Sequence, residues 1–172
     1  MRTGHALAGL LVTLCLAEPG QAFDCANPPF GAALASLDDG NFVVYRQKDG
    51  VSYSNYVGPC RLPIHEKACP AIAHAFVDGV YYARFIRATV ANVNDMLRDM
   101  PAGSGGPVKV KDEGGVSQYV GELPGGIVMK LKYDTASGEA TAAVYDKRLR
   151  ETLARRLGEA GAPPADWPAD LP

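Results

Sequence analysis

AIAHAFVDGVYYARFIR, residues 71 to 87, decides how this chain folds. At its centre, Asp78-Gly79 sits between aromatic and β-branched runs, and that dipeptide accepts the positive φ angles a two-residue hairpin turn demands. The turn sets a register, with Val77 opposite Val80, Phe76 opposite Tyr81, His74 opposite Ala83 and Ile72 opposite Phe85. Paired residues share a sheet face. One expected face is therefore Ile72, His74, Phe76, Tyr81, Ala83 and Phe85, and the other Ala73, Ala75, Val77, Val80, Tyr82 and Arg84. This places His74 among apolar and aromatic neighbours.

The same signals recur on both sides of the hairpin. FVVYRQ and VSYSNYV flank Lys48-Asp49-Gly50 and read as a second hairpin. VKVKDEGGVSQYVGEL is a strand candidate that Gly114-Gly115 splits, and IVMKLKY and ATAAVYD follow, separated by a turn at Thr135 to Gly138. In the first of these two, Ile127, Met129, Leu131 and Tyr133 alternate with Val128, Lys130 and Lys132, which predicts one buried and one wet face. Three helical patterns accompany the strands. Ala33, Leu34 and Leu37 line a short one ending at Gly40. Val90, Val93, Leu97 and Met100 line one from Thr89 to Met100. Leu149, Leu153, Leu157 and Ala160 form the stripe of RLRETLARRLGEA. No internal repeat is legible. The expected fold is α+β, an antiparallel sheet of hairpins with two amphipathic helices packed on it, in a single domain.

The ends bound the domain. Arg2, an apolar run from Ala6 to Ala17 and small residues at Gly20 and Ala22 have the layout of a secretory signal peptide cleaved before Phe23. Residues 1–22 are expected to be removed, 23–161 to form the domain, and 162–172, rich in proline, to be a flexible tail. The apolar run is about twelve residues, short of the ~20 a permanent membrane helix needs. The chain's formal net charge of −2 offers no basic excess for nucleic acid. The expected location is the periplasm or the exterior, and the sequence leaves the oligomeric state open.

Export makes Cys25, Cys60 and Cys69 disulfide candidates. Three is an odd number, so one bridge leaves one thiol over unless it pairs between chains. Closing Cys60 to Cys69 restricts the unfolded chain by ~3 kcal/mol and Cys25 to Cys60 by ~4 kcal/mol on the loop-entropy model, so energetics favours neither strongly. CRLPIHEKACPAIAH, residues 60 to 74, also interleaves two cysteines with His65 and His74, the right atoms for zinc or copper. Its spacing is unlike that of structural zinc sites, and His74 falls in the hairpin. His65 and His74 remain as an alternative metal pair, and His74 as a core histidine bonded to a neighbour. No nucleophile elbow, phosphate loop, haem-attachment or zinc-protease motif is present. No cofactor or catalytic residue is expected.

The layout resembles a loose group of small exported bacterial α+β domains. The likeness rests on Phe30-Gly31, on Asp78-Gly79 with VYYARFIR, on TVANVNDMLRDM, on IVMKLKY with ATAAVYD, and on RLRETLARRL. Similar architectures serve as periplasmic inhibitors or envelope adaptors, so the resemblance implies binding by a surface rather than catalysis. The expectation is a non-enzymatic protein that binds a protein partner in or outside the envelope. The alternative within that class is an inhibitor or immunity protein against a cell-wall hydrolase or toxin; a third reading is an envelope metal-binding protein. Binding-surface candidates are Tyr53, Tyr56, Arg61, His65, Glu66, Tyr81 and Tyr82, since tyrosine and arginine make good interface anchors.

Overall fold

The computed structural model describes residues 29–37, 39–48, 50–58, 71–98 and 108–158. The expected signal peptide, the three cysteines, Arg61, His65, Glu66 and the 162–172 tail lie outside these residues.

Eight strands form one antiparallel sheet: β1 Phe42–Lys48, β2 Val51–Tyr56, β3 Ala71–Val77, β4 Val80–Thr89, β5 Val108–Glu113, β6 Val116–Leu123, β7 Ile127–Asp134 and β8 Glu139–Asp146. Their spatial order is β1-β2-β3-β4-β8-β7-β6-β5. All the strands expected from sequence are present, and Gly114-Gly115 is indeed a turn between two of them. The helical part is smaller than expected, so the described chain is predominantly β. Among the described residues only α2, Lys147–Leu157, is a helix of useful length; α1, Val93–Arg98, has six residues. The short pattern near Leu34 is a 3-10 turn, Leu34–Ser36. Thr89, expected to open a helix, instead ends β4, pairing with Glu139, and Val90 follows it with its amide donating to Gly138 O at 2.9 Å. Both are β-branched and favour the extended chain.

Two four-strand meanders meet at the β4–β8 seam, each running from a sheet edge inward and each followed by a helix. Their edge hairpins superpose in register. A shift of 65 residues carries Val44 and Arg46, which flank a bulge in β1, onto Lys109 and Lys111, which flank a bulge in β5. The same shift matches Val43 with Val108, Gly50 with Gly115, Val51 with Val116 and Ser52 with Ser117. The sheet is thus an internal repeat related by an approximate two-fold axis at the seam. The sequence hides it because the remaining positions of the two hairpins carry different residues.

The central hairpin contains one departure that matters for everything built on it. Asp78 and Gly79 have φ of 50° and 73°, and Val77 faces Val80 and Phe76 faces Tyr81, as expected. Beyond them a bulge at Tyr82 shifts the register. His74 pairs with Arg84 rather than Ala83, and Ile72 with Ile86 rather than Phe85. A bulge adds one residue to one strand and so exchanges the faces of all that follow it. Ala83 and Phe85 consequently join Tyr82, Ala73, Ala75 and Val77 on the back face, while Arg84 and Ile86 move to the front with His74.

Three quarters of the sheet are covered. On the back of the first meander, Leu149, Leu153 and Leu157 of α2 pack over Val51, Tyr53, Ala75, Val77 and Phe85. On the front of the same meander, Phe30, Leu34 and Leu37 pack on Phe42, Phe76 and Tyr81. On the front of the second and across the seam, Val93, Met96 and Leu97 of α1 cover Leu131, Tyr133 and Ala142 together with Ile86 and Ala88 of β4. The Asp146 carboxylate starts α2 by accepting the Leu149 amide at 2.9 Å, an N-cap.

Gly138, at φ 71°, ties β8 to the end of β4, and a Cβ added there would lie 2.9 Å from the Val90 carbonyl oxygen. Strain in the backbone and this clash act together. Gly138→Ala is expected to lower unfolding free energy by about 2 kcal/mol in urea denaturation, and an unchanged midpoint would contradict the turn geometry.

Candidate functional site

The front of β2, β3 and β4 carries a buried polar row. Ser54 pairs with His74 and His74 with Arg84, and the three residues are 0%, 1% and 7% exposed. The His74 ring meets Phe42 edge-on, with centroids 5.3 Å apart, and its Nδ1 lies 3.4 Å from the Tyr81 hydroxyl. Phe30 stacks on the other side of Tyr81, with centroids 5.2 Å apart and planes 3° from parallel. Burial, and then the Arg84 charge beside it, lower the His74 pKa to about 4. The imidazole is therefore neutral at physiological pH. Burial also raises the Tyr81 phenol well above its ordinary range. These shifts hold both groups in their uncharged forms inside the core, which suits a structural hydrogen bond. His65, the other half of the metal alternative, lies outside the described residues. Among the described residues no three His, Cys, Asp or Glu side chains come together as metal ligands.

The tyrosines offered as surface anchors are mostly core residues. Tyr53, Tyr81 and Tyr82 are 3%, 0% and 0% exposed, and Tyr56 is half-buried against Phe42. Tyr53 and Tyr82 lie under α2, and Tyr81 under Phe30.

On the back of the second meander, the remaining quarter, Val128, Ala143 and Tyr145 join the cluster under α2, and no described helix covers the part beyond them. The internal repeat makes its composition informative. Under α2 the first meander presents Val51, Tyr53, Ala75 and Val77, with Tyr53 opposite Ala75 and Val51 opposite Val77. The matching pairs in the second are Gln118 opposite Lys132 and Val116 opposite Asp134. The backbone is repeated, and where the first meander has Tyr53, Ala75 and Val77 the second has Gln118, Lys132 and Asp134, with valine kept at Val51 and Val116.

Register organises that quarter into bands. Arg87, Thr141, Lys132, Gln118 and Lys111 follow one another across β4, β8, β7, β6 and β5 in one line. Two residues further along the strands, toward the turns, run Glu139, Asp134 and Glu113. Lys111, Lys132, Glu113 and Glu139 are exposed, and Arg87, Gln118, Thr141 and Asp134 are half-buried. Arg87 Nε lies 3.6 Å from Glu139, and Lys111 Nζ lies 2.7 Å from Glu113. The amides of Ala136 and Ser137 hold the Asp134 carboxyl below its ordinary pKa, so it stays ionised. Exposed pairs of this kind contribute little to stability.

The sheet edges are also apolar in part. Val43 and Val44 on β1 and Val108 and Val110 on β5 are 44% to 62% exposed. The bulges in both strands, together with Arg46, Lys109 and Lys111, interrupt the ladder another strand would need, the usual protection of a free edge. Among the described residues, no such feature interrupts the open face. Sequence reasoning missed Gln118, Lys132, Thr141, Lys111 and Arg87 as a group. The alternation of Lys130 and Lys132 with apolar residues marks the wet face, and only the register assembles the band.

No protein-family model, curated protein or solved structure matches this chain. No described helix is long and apolar enough to cross a membrane.

Proposed function

We propose that this chain is a periplasmic or secreted protein without enzymatic activity that works by binding another protein through the open quarter of its sheet. One observation carries this reading. The two meanders repeat one backbone, yet where the first places Tyr53 and Ala75 beneath a helix the second presents Gln118 and Lys132 with charged neighbours. Polar groups in a flat, registered array suit recognition of a protein surface, where charged and polar complementarity gives register and specificity. The burial of Tyr53, Tyr81 and Tyr82 supports placing recognition on this face, with its Val108 margin.

The test is a partner isolated from envelope or secreted fractions, purified, and titrated calorimetrically against the mature protein. Lys132→Glu and Gln118→Arg are expected to weaken binding at least tenfold while the melting temperature holds. A stoichiometric partner indifferent to both substitutions would contradict the reading.

A further inference from the structure

The open quarter's charge pattern narrows the kind of partner it fits. A uniformly acidic surface would meet Glu139, Asp134 and Glu113, and a uniformly basic one would meet Arg87, Lys132 and Lys111. The fitting surface carries a basic band beside an acidic band, two residues apart along the strands and running across several strands. The open face itself is such a surface.

We infer that the open quarter pairs face to face with the same quarter of a second copy. This rests on the reading of that quarter as the binding surface. A two-fold axis lying in the interface, perpendicular to the strands and midway between the bands, exchanges them. Lys132 of each copy then lies over Asp134 of the other, and Lys111 over Glu113. Arg87 of each comes beside Glu139 of the other. A two-fold interface uses one patch twice and so requires self-complementarity, which the bands supply. Gln118 lies over Val116 near the middle, and Val108 and Val120 add apolar area toward the β5 edge. Five strands span about 19 Å across and the two bands lie about 7 Å apart along the strands, a contact smaller than standard specific interfaces, which predicts a weak, reversible dimer. The ion pairs within each copy, Arg87 with Glu139 and Lys111 with Glu113, give way to shared pairs between copies.

Sedimentation of the mature protein over a concentration series tests this, with charge swaps as controls. Wild type is expected to dimerise, with at least tenfold weakening between 0.05 and 0.5 M salt, on the order expected when exposed charges are screened. Lys111→Glu with Arg87→Glu makes one variant, and Glu113→Lys with Glu139→Lys makes the other. Each alone is expected to be monomeric and folded by circular dichroism, and an equimolar mixture to form a heterodimer. Wild type that stays monomeric at low salt and high concentration overturns the inference, as does a dimer unaffected by the swaps. A monomeric wild type whose purified hetero-partner is lost on Lys132→Glu overturns self-pairing and leaves the binding reading standing. If that partner is also indifferent to Lys132→Glu, both fall.

Discussion

Phe85→Ala is expected to lower the unfolding free energy by about 4 kcal/mol, the cost of removing a large aromatic from a closed core. Phe85 is fully buried, sits opposite Ala143 at the seam, and packs with Tyr53, their ring centroids 6.3 Å apart, under α2. Its neighbour across the seam is only an alanine, so little can collapse into the gap. Urea denaturation measures the loss, and a change below about 1 kcal/mol would contradict the packing. The same residue tests the register. With Tyr82 bulged, Phe85 shares a cluster with Leu153, whereas Met96 belongs to the opposite face. Phe85→Ala combined with Leu153→Ala should depart from additivity, and combined with Met96→Ala should add within about 0.5 kcal/mol. Reversal of that pattern would restore the unbulged register.

Acid is expected to weaken the fold through His74. Its folded pKa of about 4 lies below the ordinary 6.5, so the unfolded chain takes up the proton first as pH falls. The stability this neutral histidine contributes is whole above about pH 6.5 and is lost progressively down to about pH 4. The loss reaches about 3 kcal/mol, at 1.4 kcal/mol for each pH interval crossed. Two causes act in the same direction: a buried site that disfavours charge, and Arg84 across the strand pair, which repels it. Unfolding free energies measured from pH 7.5 to 4 should slope accordingly, and His74→Gln should remove most of that slope. An identical slope in the variant would place the acid sensitivity on other groups.

How much of this was legible in the sequence depends on how local the controlling chemistry is. The Asp78-Gly79 turn, the lysine alternation of β7 and the leucine stripe of α2 each follow from neighbouring residues and are found where expected. The Tyr82 bulge follows from no such signal. Tyr81 and Tyr82 are equally suited to a regular strand, and the extra residue is accommodated by Gly31–Leu34, whose backbone bonds to Gly79 and Tyr81 from 45 or more positions away in the chain. One unforeseen residue moved Arg84 beside His74 and Phe85 beneath α2. The open face was invisible for a related reason: its five members lie on five strands, and only pairings across the whole sheet align them. The surface role expected of Tyr53, Tyr81 and Tyr82 failed on coverage, since α2 and the Phe30 segment pack over positions that a hairpin alone leaves half wet.

The β4–β8 seam also sets the order in which the molecule assembles. Within each meander the hairpins close over turns of two to four residues, apart from the β2–β3 connection, and such pairings form early because little chain entropy is lost. The seam instead joins Ala83 to Tyr145 and Thr89 to Glu139. It is the non-local step that slows folding. Until it closes, β4 and β8 each keep a bare edge, and exposed strand edges are what another chain captures. Refolding yield should therefore fall with protein concentration until the seam has closed.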